Sequence, residues 1–496
     1  MGGYVSRNAN NSVSAPEHDE AVEGRGRKRT RDEEDTDSET EQLMRTPQRK
    51  KLKCTSRYIY QTLFVNGESS DVTIRALGKE WHLHKIYLCQ SSYFASMFSG
   101  SWKESSESEI GIDVPDDNID IKALEVALGS LYRDDVLIEP AKVVSILAAA
   151  SLLQLDGLIQ QCADIMTDTI SPKTVCSYHA AATAYGLQGV ACSCLEWLES
   201  NLMDVQRASL LRELSLELFE TVVKSPNLFV LQVEMDVYSM VKKFVFLHIT
   251  PSWTGEYKQI GKDADAYFRK LKSGEFLESD RGKNFLNLFQ SLRLNHVIND
   301  QSAVRHLERD KIVPTEWLLP VYKHQWQCML SLEQGQDQGP TTETVTPEQF
   351  FQHSMRCGRV MTRDTEYCWR WTGYNYGVDL LVSFANRLLI FRRNTVTHPV
   401  TASVSLQAQR NIMFRVRVVS YDTQGHVLYQ KSSDITSLSL GRDEEIVVLN
   451  IDRHAPFPMR VSVNLLCMSP REESNQPPVP EPEAEPDNIE DRPGPS

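Results

Sequence analysis

Ser70-Asp-Val-Thr-Ile74, then His82-Leu-His-Lys-Ile-Tyr-Leu88, then Ser91-Ser-Tyr-Phe-Ala-Ser-Met-Phe-Ser-Gly100, is the stretch on which the first fold assignment turns. Val72 and Ile74 open a strand, and Trp81-His-Leu-His84 continues a pair. Further on, Ile110, Ile112 and Val114 alternate with Gly111 and Asp113. Period two places alternate side chains on one sheet face, so this run predicts a strand with one side buried. From about Tyr58 to Val114 strands and helices alternate.

Outward from there the pattern changes twice. From Ile121 to about Met329 helical periodicity takes over: Val144, Leu147, Ser151, Leu152, Leu155, Ile159 and Cys162 recur at three- and four-residue spacing, with Pro140 where a first turn tolerates it. Ser171-Pro172 reads as a second helix start, and Gly186 as the end of the segment it opens. From about Phe350 to Met468 strands return, over Val378–Phe384, Arg387–Arg392, Met413–Ser420, Glu445–Asp452 and Met459–Cys467. In Arg415-Val-Arg-Val418 and Arg460-Val-Ser-Val463 polar residues alternate with Val, which predicts one solvated and one buried face of an antiparallel sandwich. Gln334–Pro347, rich in Gly, Gln and Thr, reads as a linker. The fold class is α+β. The expected segments are a disordered basic and acidic tail 1–53, a mixed domain 54–168 and a helical domain 169–330 with an insertion near 250–284. A linker 331–349, a β-rich domain 350–469 and an acidic Pro-rich tail 470–496 complete the plan.

Composition narrows the function classes. At 496 residues the chain exceeds a single hydrophobic core, and its net charge of −14 suits nucleic-acid wrapping poorly. No apolar run reaches the roughly 18 residues of a membrane span, and the first thirty residues contain no signal-peptide core. The 10 Cys lack paired metal-ligand spacing: Cys192 and Cys194 are close, but one helix would point their thiols apart. Free thiols in a reducing, intracellular compartment are the expectation. Neither a nucleophile elbow, a phosphate-cradling glycine loop nor an H-E-x-x-H appears, so a non-catalytic chain without metal or cofactor is expected.

The quoted stretch, continued through Leu131-Tyr132 and Leu147-Ala-Ala-Ala-Ser-Leu-Leu-Gln-Leu-Asp-Gly-Leu158, closely resembles the BTB/POZ signature, in order and over more than a hundred residues. Ile170 to about Ile249 resembles the start of a BACK domain, with Asn287–Leu319 as its closing helices and Thr250–Asn284 as the insertion. Kelch-type repeats of about fifty residues are absent from the C-terminal part. The double basic N-terminus and β-rich C-terminus together resemble the germ cell-less family of BTB–BACK proteins. The resemblance implies a homodimer formed through BTB, an adaptor for cullin-3 and its RING partner, and substrate capture by the C-terminal domain. It also implies lamina-associated polypeptide and DP transcription-factor partners and roles in germ-cell development and spermatogenesis; nuclear-envelope or matrix localisation is the expectation from an N-terminus that pairs import signals with a candidate acylation site. The rival reading is a nuclear-envelope or transcription-linked scaffold that uses BTB for dimerisation alone.

Site residues follow from the same resemblance. Asp71 and Lys85 resemble the paired charges of the BTB dimer seam, where a carboxylate and an ammonium must satisfy each other. His84 resembles the BTB core histidine; His82-x-His84 lacks further ligands for a metal. Trp102-Lys-Glu104 resembles the hydrophobic-x-Glu element that binds cullin-3, with Trp bulkier than the usual Met or Leu, and Tyr132 is expected on the same surface. The helices from Leu155 to about Asn201 would extend this contact as a 3-box. From the residues alone, two basic clusters, containing Arg27, Lys28 and Arg29 and then Arg49, Lys50, Lys51 and Lys53, read as nuclear-import signals, RNA-binding patches or a solvated tail. The acidic spacer between them favours import, and the lack of interleaved aromatics disfavours direct nucleic-acid binding. Met1-Gly2-Gly-Tyr-Val-Ser6 fits the N-myristoylation pattern at Gly2, a short pattern that chance also produces.

Overall fold

The computed structural model describes residues 55–99, 107–205, 207–271, 274–336, 345–371, 377–394, 404–405, 407–422, 425, 427–442 and 444–468. Everything that follows concerns the compact unit from Ile59 onward.

Its first part is a small sheet edged by helices. Strands β1 (Val72–Ala76) and β2 (Lys79–Leu83) form a hairpin, and β3 (Glu109–Gly111) joins β1 in parallel, giving the order β2-β1-β3. Leu77 and Gly78 turn the hairpin with φ of 50° and 77°, the primed-turn geometry that matches strand twist. Val72, Ile74, Trp81, Leu83 and Ile110 are buried in one core, as the period-two reading requires. Helices α1 (Lys85–Leu88), α2 (Ser92–Ser99), α3 (Ile121–Ser130), α4 (Val143–Leu152) and α5 (Asp156–Asp168) cover it. The apolar run read as one periodicity is two helices, broken where Gln154 takes φ 51°.

The helical part continues with α6 (Val175–Ala184), α7 (Gln188–Asn201), α8 (Ala208–Glu213), α9 (Leu216–Lys224) and α10 (Glu234–Ile249). Ser171-Pro172 lies in a turn held by the Thr174 hydroxyl, three residues before the helix starts, and Gly186 ends that helix at φ 77°. The segment expected as an insertion is built into the core: α11 (Ile260–Arg269) buries Ile260, Ala264 and Phe268, while the Phe276 and Leu277 amides donate to the Lys311 and Ile312 carbonyls. Helices α12 (Leu286–Gln290), α13 (Leu294–Val297), α14 (Gln301–Asp310) and α15 (Thr315–Glu333) close the bundle. The last of these runs past the expected linker start, and α16 (Pro347–His353), with Thr346 and Gln349 in a capping box, occupies the linker's far end.

The C-terminal part is an antiparallel sandwich. One sheet has the order β10-β8-β12-β4, with β9 also on β8; the other has β11-β7-β6-β5. Their strands are β4 (Met355–Met361), β5 (Tyr367–Trp371), β6 (Leu380–Ala385), β7 (Leu388–Arg393), β8 (Gln409–Tyr421), β9 (Val427–Ser432), β10 (Thr436–Gly441), β11 (Glu445–Asn450) and β12 (Met459–Met468). Val416, Val418, Val461 and Val463 point into the core between the sheets, where Phe391 meets Phe414 at 5.2 Å between ring centres.

The outer face of the larger sheet corrects the sequence reading. Polar residues alternate with Val as expected, yet this face is covered by the helical part. Arg460 donates to the Ser200 carbonyl at 2.8 Å, to Asn201 at 2.9 Å and to Asp204 at 2.7 Å. Asn464 donates to the Pro226 carbonyl at 3.1 Å, and Arg415 to Asn227 at 3.0 Å. The side chains that would have met water satisfy helix-end and loop carbonyls instead.

Candidate functional site

Two arrangements can carry a function: the surroundings of the segment between Ser99 and Glu107, and the junction that holds the sandwich. The first begins at Asp71, whose carboxylate accepts from the Lys85 main-chain amide at 2.8 Å and so supports the start of α1. Sequence reasoning expected these residues to meet as side-chain charges; they meet through the Lys85 main chain. Lys85 Nζ donates to the Glu107 carbonyl at 3.2 Å and lies 5.1 Å from the centre of the Phe98 ring. One lysine thereby touches the end of α2 and the approach to β3, the two ends of the segment containing Trp102 and Glu104. Those two residues lie outside the described ones, as do Gly2, Arg27, Lys28, Arg29, Arg49, Lys50, Lys51 and Lys53.

His84 is buried, as a core histidine should be. One ring nitrogen lies 2.9 Å from the Glu68 carbonyl, and its backbone amide donates to the Tyr132 hydroxyl at 2.9 Å. Tyr132 was expected on the contact surface and is instead 3% exposed, stacked on Tyr87 with ring centres 4.5 Å apart. Burial pushes its hydroxyl's pKa up, keeping it a neutral hydrogen-bonding group that fixes the β2–α1 corner. His82 faces outward, 3.1 Å from the Thr73 hydroxyl, so the two histidines occupy different environments. Among the described residues no group of three His, Cys, Asp or Glu side chains can hold a metal ion, and no helix is long and apolar enough to cross a membrane.

The second arrangement was not legible beforehand. Arg356 on β4 grips Glu234, the first residue of α10, through Nε and a terminal nitrogen, both at 2.8 Å. Its own main-chain amide adds a third bond to the same carboxylate at 3.1 Å. The remaining terminal nitrogen donates to the Val223 and Ser225 carbonyls at 2.7 and 2.8 Å. Both side chains are almost fully buried. Burial pushes the Glu234 pKa up, but the charge and hydrogen bonds of Arg356 outweigh it and hold the carboxyl below its ordinary range. Two positions away, a side chain at Gly358 would stand 2.4 Å from the Val230 carbonyl oxygen, so only glycine lets the sheet approach this closely. The sandwich is therefore fixed to the helical part, with no freely jointed connection. No sequence signal pairs Arg356 with Glu234; the strand carries both Arg356 and Arg359 around Cys357-Gly358, and nothing in that pattern says which of the two is buried.

Comparison with known proteins agrees with this architecture. The BTB/POZ domain family model matches residues 60–170. Germ cell-less protein-like 1 of Mus musculus is 53% identical over 447 residues, covering 89% of this chain and 85% of that protein. Protein germ cell-less of Drosophila melanogaster is 35% identical over 454 residues, 86% of this chain and 79% of that protein. Kelch-like protein 28 of Homo sapiens is 24% identical over 241 residues, 48% of this chain and 39% of that protein. With such identity sustained through the BTB domain, the helical part and the sandwich, the chain belongs to the germ cell-less family of BTB adaptors.

Proposed function

We propose that this chain is a non-catalytic, substrate-specific adaptor of a cullin-3 ubiquitin ligase. In this reading BTB forms the homodimer and binds cullin-3, and the sandwich carries the substrate. The observation that carries it is Lys85 between Phe98 and Glu107, which touches the described residues on both sides of the segment bearing Trp102 and Glu104. A hydrophobic anchor fills a pocket on the partner, and a carboxylate two residues on sets orientation. Likeness to a kelch-like protein over 48% of this chain supports the same assignment. Glu104→Lys should abolish recovery of cullin-3 with the full chain while light scattering still reports a dimer. Unchanged recovery would sink the contact.

A second reading, a nuclear-envelope scaffold that dimerises without recruiting a ligase, draws on the N-terminus. The pattern at Gly2 and the basic cluster Arg25–Arg31 together supply the two weak signals that stable membrane attachment requires. Lamina-associated and DP-type partners and a role in germ-cell development belong with the family resemblance and go with either reading. Failure of the intact chain to bind cullin-3 favours the scaffold. Gly2→Ala tests the membrane signal by acyl labelling and by imaging of the nuclear rim; if both are unchanged, that signal is discarded.

A further inference from the structure

Beside the Arg356–Glu234 pair a cavity of about 620 Å³ opens between the end of α9, α12–α13, α15 and α16. Leu294, Val321 and Phe351 give it apolar walls, and Lys224 and His353 line it with nitrogen groups, while His296 donates through Nε2 to the His353 carbonyl at 2.7 Å. Its charge is set underneath. Arg293 reaches within 4.0 Å of Glu234, whose two oxygens are already taken by Arg356. Arg293 is 8% exposed and spends its terminal nitrogens on the Ser354 and Phe351 carbonyls, which carry no charge. Among the described residues, Glu234 is the sole carboxylate within ion-pair distance of either guanidinium. Two buried cations thus share one anion, and a net positive charge lies beneath the cavity wall. Burial, with the neighbouring Arg356 charge, lowers the Arg293 pKa to about 9, which is the energetic sign of that imbalance. A buried charge without its counterion is costly, so an incoming carboxylate is favoured here.

The sequence supplies such a group close by. Met468 at the end of β12 packs against Phe350, in the same helix whose Phe351 and His353 line the cavity. Four and five residues later come Glu472 and Glu473, within a reach of roughly 14 and 18 Å. From 469 to 496 the chain carries eight acidic and two basic residues, spaced by proline in a pattern that favours extended backbone. A tethered segment also meets its site at high effective concentration.

We propose that the cavity is a carboxylate-binding groove occupied by this chain's own acidic segment, entered by Glu472 and Glu473. The inference is independent of the cullin-3 reading. It is tested on the full chain by carbodiimide cross-linking, which joins an amine to a carboxylate only in contact, with linked peptides mapped by mass spectrometry. The expected product joins Lys224 to Glu472 or Glu473, and in a mixture of light and heavy protein it carries a single isotope label. Glu472→Gln with Glu473→Gln should abolish it, speed acylation of His353 by diethylpyrocarbonate, and leave thermal unfolding unchanged. Cross-links from Lys224 to Glu220 alone, or an unchanged His353 rate, overturn the proposal. Mixed-label products overturn it in favour of a second copy. Binding of a fluorescent poly-glutamate probe with equal affinity to both forms overturns it in favour of an acidic partner.

Discussion

Arg356 and Glu234 stand 122 residues apart in sequence and form a buried, bidentate pair that joins the sandwich to the helical part. Every polar atom of the guanidinium is satisfied, so the pair specifies one docking geometry more than it adds net stability.

Removing one partner should therefore be far worse than removing both. Glu234→Gln is expected to cost about 3–5 kcal/mol in urea unfolding, because it strands two guanidiniums in the core. Glu234→Leu with Arg356→Met should recover most of that loss. The pH dependence has a definite sign: the folded carboxyl is held below its ordinary value, so its contribution is complete above about pH 4.3 and disappears as pH falls through the folded value. An acid titration of unfolding should show this loss in the native chain and not in the double variant.

Gly358→Ala tests how closely the sheet sits on the loop beneath it. The added carbon would lie 2.4 Å from a main-chain oxygen that cannot rotate away. A loss of about 1–3 kcal/mol is expected, from overpacking alone. Differential scanning fluorimetry reads it directly, and an unchanged midpoint would contradict the packing described.

Lys85→Gln should separate the proposed cullin-3 contact from folding. The amide bond to Asp71 uses the main chain and survives the substitution, while the ammonium contacts to Glu107 and Phe98 do not. If the proposed cullin-3 contact holds, affinity measured by interferometry should fall roughly tenfold, about 1.4 kcal/mol. The dimer and its melting temperature should change little. A large drop in stability would instead make Lys85 a core residue.

Tyr367 should ionise early. Its hydroxyl oxygen accepts from the Thr362 and Arg363 amides, both at 3.1 Å, and hydrogen bonding with Thr362 leads the causes that lower its pKa to about 8. Phenolate absorbance at 295 nm should show one tyrosine titrating near that value, and Tyr367→Phe should delete it. Since the fold favours the phenolate, this turn gains stability as pH rises from about 8 toward the unfolded value near 10.

What could be read in advance was whatever repeats along the chain. The Val72–Ile74 and Val461–Val463 alternations yield their strands, and the BTB signature yields the first domain. Strands β4, β5, β9 and β10 escaped because their patterns are interrupted or brief: β4 carries Arg356 and Gly358, and β10 alternates only over Ser437-Leu-Ser-Leu440 before Gly441. Alternation also states which side chains share a face without stating what covers it. Arg415 and Arg460 were thus assigned to water, whereas Arg415 donates to Asn227 and Arg460 to the Ser200 carbonyl and Asn201. Long-range pairs such as Arg356–Glu234 leave no periodic trace at all. Tyr132 was misplaced because a family surface was carried over without the hydrogen bond that buries it here.

The glycine, glutamine and threonine-rich stretch before α16 looks like the natural place to cut this protein in two. The Arg356–Glu234 pair makes it a poor one. A fragment ending there keeps Glu234 in an apolar setting with its bidentate partner gone, and uncovers Phe229 and Val230. The complementary fragment exposes a sheet face lined with Arg356, Arg460 and Asn464 that have lost their acceptors. Dissecting this protein into a BTB-containing half and a sandwich half by truncation will therefore report misfolding as loss of binding. Its two ends have to be separated by point substitution, within a chain left whole.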